Sequence, residues 1–113
     1  MWDGSGGPDR RQIPLMWTLR APEESETGSL TFRILPGSIK TIGRATGADF
    51  VLDAALVSRV HCRLTANALG DLEVLDLQST NGTFVNDQRV DRLALAAGDR
   101  LRVGRVELVV ERL

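Results

Sequence analysis

The sequence predicts an all-β fold, a two-sheet β-sandwich, and two observations carry that prediction. Apolar and polar residues alternate with period two in short runs, as on strands with one buried face. Turn residues interrupt those runs at short, even intervals, the spacing of a sandwich and not of a helical domain.

Taken in order, residues 1–15 come before the pattern starts. They are rich in Gly and charge with almost no apolar spacing, and read as a flexible N-terminal tail, leaving 16–113 as the domain. Leu30-Thr31-Phe32-Arg33-Ile34 is the clearest strand, with Leu30, Phe32 and Ile34 inward. Pro36-Gly37 turns the chain, and the next strand ends at Thr41-Ile42-Gly43-Arg44. Cys62, Leu64 and Ala66 face inward against His61, Arg63 and Thr65, and Asn67 to Asp71 turns back. Asn81-Gly82 and Asn86-Asp87 are further turns. Asp91 to Ala97 is the best helix candidate, two turns at most and ended by Gly98. Leu101 and Val103, then Val106, Leu108 and Val110, form two alternating runs joined by the glycine-first turn Gly104-Arg105.

Composition narrows the function. A chain of 113 residues holds one small domain. Its few aromatics leave a core of Leu, Val and Ile, so function is expected in loops on a rigid scaffold. The net charge of −1 provides no cationic excess for neutralising nucleic-acid phosphates. No apolar run is long enough to span a bilayer, and the start lacks the pattern of a signal peptide. One cysteine and one histidine cannot make an internal disulfide or a zinc site. No metal and no cofactor are expected, and the expected location is cytoplasmic.

Three loop segments carry polar residues that a hydrophobic pattern does not require: Gly43-Arg44; Ser58-Arg59-Val60-His61; and Ser79-Thr80-Asn81-Gly82-Thr83 followed by Asn86. Their order and spacing, with Gly98-Asp99-Arg100-Leu101 and Val103-Gly104 downstream, resemble the forkhead-associated (FHA) domain from about Trp17 to the C-terminus. The resemblance implies an eleven-stranded sandwich that binds phosphothreonine through loops at one end and is not an enzyme. It implies Arg44 and Ser58 as phosphate contacts, Thr80 beside the phosphothreonine, and Asn81 on the peptide backbone. Arg59 would add a second cation or a backbone N–H, with Gly43, His61, Gly82 and Asn86 in support. The implied partners are a Thr-phosphorylated protein or peptide and an upstream Ser/Thr kinase.

The residue chemistry agrees with this. A guanidinium is a planar fork for two oxygens of a dianionic phosphate, and its charge-assisted bonds are about twice as strong as neutral ones. A serine hydroxyl can donate to a third oxygen, and an Asn amide can pair with an extended peptide in both directions. Gly82 permits positive φ. Taken singly, each residue has a plainer role: a solvated arginine, an Asn-Gly turn, Asp76 as a turn cap, His61 orienting a loop while Cys62 packs inward. Ser58 and His61 have no third group that would make a hydrolytic triad. By the same resemblance, the position two residues before Ser58 reads the peptide C-terminal to the phosphothreonine, and Leu56 there implies a neutral or apolar neighbour. Two alternatives stay open: a phosphorylation-independent interaction domain, and a self-binding module switched by phosphorylation of Thr27 in the acidic Ala21–Ser29 loop.

Overall fold

Eleven short strands account for the regular structure of residues 16–113, which are the residues that the computed structural model describes; the expected tail, 1–15, lies outside them. They are β1 (Trp17–Ala21), β2 (Leu30–Ile34), β3 (Ile39–Gly43), β4 (Phe50–Val51), β5 (Cys62–Ala66), β6 (Leu72–Asp76), β7 (Thr83–Val85), β8 (Gln88–Val90), β9 (Arg92–Leu95), β10 (Arg100–Val103) and β11 (Val106–Arg112). One sheet has the order β2-β1-β11-β10-β7-β8 and the other β4-β3-β5-β6-β9. All pairings are antiparallel except β3 with β4.

The alternation in the sequence becomes the core. Leu19, Ile34, Ile42, Leu64, Val74, Leu101, Leu108 and Val110 are fully buried between the sheets. Phe32 on edge strand β2 stacks on Phe50 of edge strand β4, with centroids 4.4 Å apart and planes at 6°, closing one side of the sandwich. At the end where β1 begins, Trp17 Nε1 donates to Gly70 O at 2.7 Å.

Two expectations are corrected. The helix candidate Asp91–Ala97 contains β9 instead, an edge strand whose Leu93 and Leu95 pair with Val74 and Leu72. A helix this short gains too little from its own hydrogen bonds to nucleate, whereas the strand gains a whole ladder against β6. Arg92 Nε reaches diagonally to Glu73 at 2.9 Å, a pairing that only the sheet provides. His61 was expected on the outward parity of β5, yet it is fully buried. It lies one residue ahead of the strand, under the loops, where strand parity no longer applies.

The turns match their chemistry. Asn86 and Asp87 both have positive φ, 51° and 69°, as a two-residue type I′ hairpin between β7 and β8 requires. Gly104 has φ 63° and opens the β10–β11 hairpin. That hairpin touches the long β4–β5 loop: a Cβ on Gly104 would come within 2.7 Å of Ala55 O and 2.9 Å of Val57 Cγ2. Among the described residues no helix is long and apolar enough to cross a membrane.

Candidate functional site

The site starts from a close approach of backbones. β3 ends at Gly43, where a Cβ would stand 2.0 Å from Arg59 O, so only glycine lets the β4–β5 loop lie against the strand. Two bonds then stitch the segments together: Arg44 N–H donates to Ser58 O at 2.9 Å and Ala45 N–H to Arg59 O at 3.1 Å. Arg44 Nε also donates to Val57 O at 3.0 Å. The guanidinium is thereby oriented, and its two Nη nitrogens remain available to a ligand.

His61 holds the second loop from beneath. Its Nδ1 accepts from Ser58 N–H at 3.0 Å, so the neutral ring carries its proton on Nε2, which donates to Gly82 O at 2.9 Å. One buried ring therefore links the Ser58 loop to the Asn81 loop. Above it, Thr80 N–H donates to Ser58 Oγ at 3.0 Å, which leaves the serine proton free to be donated outward. Asn81 Nδ2 donates to Leu56 O at 3.2 Å, and its Oδ1 is left to accept.

Asp76, at the end of β6, shapes the third loop. It accepts from Ser79 Oγ at 2.6 Å, Thr83 Oγ1 at 2.7 Å and Ser79 N–H at 3.1 Å, while Ser79 Oγ accepts from Gly82 N–H at 2.9 Å. Gly82 takes φ 91° here. Burial pushes the Asp76 carboxyl up, but the bonds from Ser79 and Thr83 together outweigh it and hold the group below its ordinary range. A carboxyl depressed on folding adds stability that is complete above its unfolded value of about 3.9 and is lost as pH falls through the folded value. Asp76→Asn is therefore expected to melt lower than the parent at neutral pH. Below about pH 4 the gap should narrow, as read by thermal melts across an acid series. Nearby Cys62 is inert for a different reason: burial, helped by the Asp76 carboxylate, pushes its thiol up to about 12.

These loops enclose an open groove of about 890 Å³. Arg44, Ser58, Arg59, Thr80 and Asn81 all line it, so the five expected contact residues come together although they span 38 positions of sequence. Gly43, His61 and Gly82 lie beneath, buried. Asn86 does not line the groove: in the β7–β8 turn, its Oδ1 accepts from Arg100 N–H at 3.0 Å and its Nδ2 donates to Asp99 at 3.1 Å. Among the described residues the ion pairs use Arg20, Arg92, Arg100 and Arg102, and neither Arg44 nor Arg59 enters one. Two unpaired guanidiniums lining one groove with a preset hydroxyl have the chemistry to hold a multiply charged oxyanion.

Among the lining residues that sequence reasoning missed are Glu26, Asp53, Ala54, Ala55 and Gln78. Glu26 belongs to the acidic β1–β2 loop and reaches the groove because its Oε2 accepts from Ala55 N–H at 3.0 Å. The run of acids was visible, but its place beside the groove depends on tertiary packing. Leu56 and Gln78 hold positive φ, 70° and 57°, on two walls of the groove, a backbone cost typical of binding loops.

Fold and site together define a β-sandwich binding module with a cation-bearing groove built from loops at one end. A family model for the FHA domain matches residues 40–104, more than half of the sequence, and the chain belongs to that family. Over 82 residues it is 43% identical to the ABC transporter ATP-binding/permease protein Rv1747 of Mycobacterium tuberculosis, covering 73% of this chain and 9% of that protein. Over 67 residues it is 40% identical to the glycogen accumulation regulator GarA of Mycolicibacterium smegmatis, covering 59% of this chain and 42% of GarA. The chain thus spans less than half the length of these relatives. A solved structure from work on phosphothreonine-dependent FHA domain interactions superposes with a TM-score of 0.75 at 34% identity, covering 85% of this chain and 95% of that one.

Proposed function

We propose that the domain is a phosphothreonine-dependent adaptor, recruiting a partner phosphorylated by a Ser/Thr kinase. The observation that carries this reading is the unpaired Arg44, with Nε fixed on Val57 O, standing beside a Ser58 hydroxyl fixed by Thr80 N–H. Arg44 grips two phosphate oxygens and Ser58 donates to a third. Thr80 packs against the threonine, Arg59 adds a second cation, and Asn81 trades its bond to Leu56 O for the peptide backbone. The kinship with a domain studied for phosphothreonine-dependent interactions supports the choice of phosphoamino acid. The domain performs no chemistry of its own and works in the cytoplasm, where kinase substrates and a free Cys62 coexist.

The test is an NMR titration of labelled protein with a degenerate phosphothreonine peptide pool, with phosphoserine and unphosphorylated pools as controls. Amides of Arg44, Ser58, Thr80 and Asn81 are expected to shift with the phosphothreonine pool only. Affinity for a good single sequence should be micromolar, about −8 kcal/mol. Equal shifts with the unphosphorylated pool would overturn the reading.

A further inference from the structure

The groove carries two signs of charge, arranged along one wall. On the β4–β5 loop the cationic part lies at 57–59, where Arg44 is tied to Val57 O and Arg59 follows Ser58. The acidic part lies at 53–55, where Asp53 lines the groove and Glu26 is tied to Ala55 N–H at 3.0 Å. That tie uses Oε2, and among the described residues Oε1 accepts no hydrogen bond. Among the described residues neither Glu26 nor Asp53 enters an ion pair. Two uncompensated carboxylates beside a dianion receptor work against phosphate binding, unless the ligand itself brings a cation to them.

We infer that Glu26 and Asp53 are specificity residues that select phosphothreonine peptides carrying an Arg or Lys within a few residues of the phosphate. This rests on the phosphothreonine reading above and goes beyond it by naming the chemistry of the flanking sequence. An extended peptide advances about 3.3 Å per residue, so a cation within a few residues of a phosphate on Arg44 stays in the groove that Glu26 and Asp53 also line. Glu26 is suited to the task because its loop is already braced on Ala55, so little freedom is lost when a cation pairs with it. The exposed Leu56, which lies between the two stretches, admits an apolar neighbour but cannot separate basic from acidic ligands.

The experiment is fluorescence anisotropy with the full 113-residue chain and phosphothreonine peptides in an alanine background. Arg, Glu and Leu are scanned singly over the four positions on each side of the phosphate. Arg at one or two neighbouring positions is expected to tighten binding roughly three- to tenfold over Ala, and Glu there to weaken it, both effects shrinking in high salt. In a Glu26→Gln, Asp53→Asn variant the Arg-to-Ala affinity ratio should fall to about one; Gln keeps an acceptor for Ala55 N–H, so the brace survives. A flat Arg scan on a peptide that binds, a preference for Leu alone, or an Arg gain that persists in the variant would each overturn the inference while leaving the phosphothreonine reading standing. Failure of every phosphothreonine peptide would overturn that reading, and this inference with it.

Discussion

Gly43→Ala is expected to cost the domain about 3 kcal/mol or more and to remove the site with it. The methyl group would sit 2.0 Å from Arg59 O, 2.8 Å from Arg59 C and 2.9 Å from Val60 Cα. All three are backbone atoms, so no side chain can swing aside. Relief requires the β4–β5 loop to lift from β3, which breaks Arg44 N–H to Ser58 O and Ala45 N–H to Arg59 O, and strains His61 N–H to Ile42 O at 2.8 Å. Each buried backbone bond lost adds about 1 kcal/mol. For a domain of this size the melting temperature should fall by roughly 12 °C or more. A variant within a degree or two of the parent would mean that the approach at Gly43 is not what holds the loop. Where Gly43→Ala still folds, amide shifts at Ser58, Arg59 and His61 report the lifted loop directly.

Legibility in the sequence followed the range of the interaction. Strands with one face in the core were readable because burial prints a period-two pattern, as in Leu30–Ile34 and Val106–Val110. Two-residue turns were readable from Gly104-Arg105 and Asn86-Asp87, whose residue types meet the φ requirement locally. β9 was not, since Leu93-Ala94-Leu95-Ala96-Ala97 has good helix formers and becomes a strand only through its partner β6. The groove-lining Arg44, Ser58, Arg59, Thr80 and Asn81 were legible as ordered motifs, within the stretch that the family model matches. The walls between them were not. Glu26 lies 18 residues before Arg44 and joins the groove through one hydrogen bond to Ala55, a contact that leaves no local pattern. His61 shows the same limit: its residue type suggested a bonding role, but only the fold places it under both Ser58 and Gly82.

Arg44→Ala should abolish measurable binding of a phosphothreonine peptide while lowering the melting temperature by only a few degrees, the cost of the Nε bond to Val57 O. Stability is otherwise spared because Arg44 is exposed and its backbone bond to Ser58 O does not depend on the side chain. Binding is not spared: a charge-assisted pair is worth about 1.5–3 kcal/mol, and stranding a partly desolvated phosphate costs more, so a loss of a hundredfold or greater is expected. Arg44→Lys separates geometry from charge. Lysine keeps the positive charge but has no planar fork and no Nε donor for Val57 O, so the head is neither oriented nor bidentate. It should recover part of the lost affinity and remain about tenfold weaker than the parent. If Lys restored full affinity, net charge alone would be holding the phosphate and the Val57 anchor would be incidental. The titration gives an independent check on charge. The phosphate loses its second charge near pH 6, so affinity for the parent should fall as pH drops through that value, and fall less for Arg44→Lys, whose contact is already single. Equal pH dependence in both would shift the discriminating role from Arg44 to Ser58 and Arg59, the other polar groups on that stretch of wall.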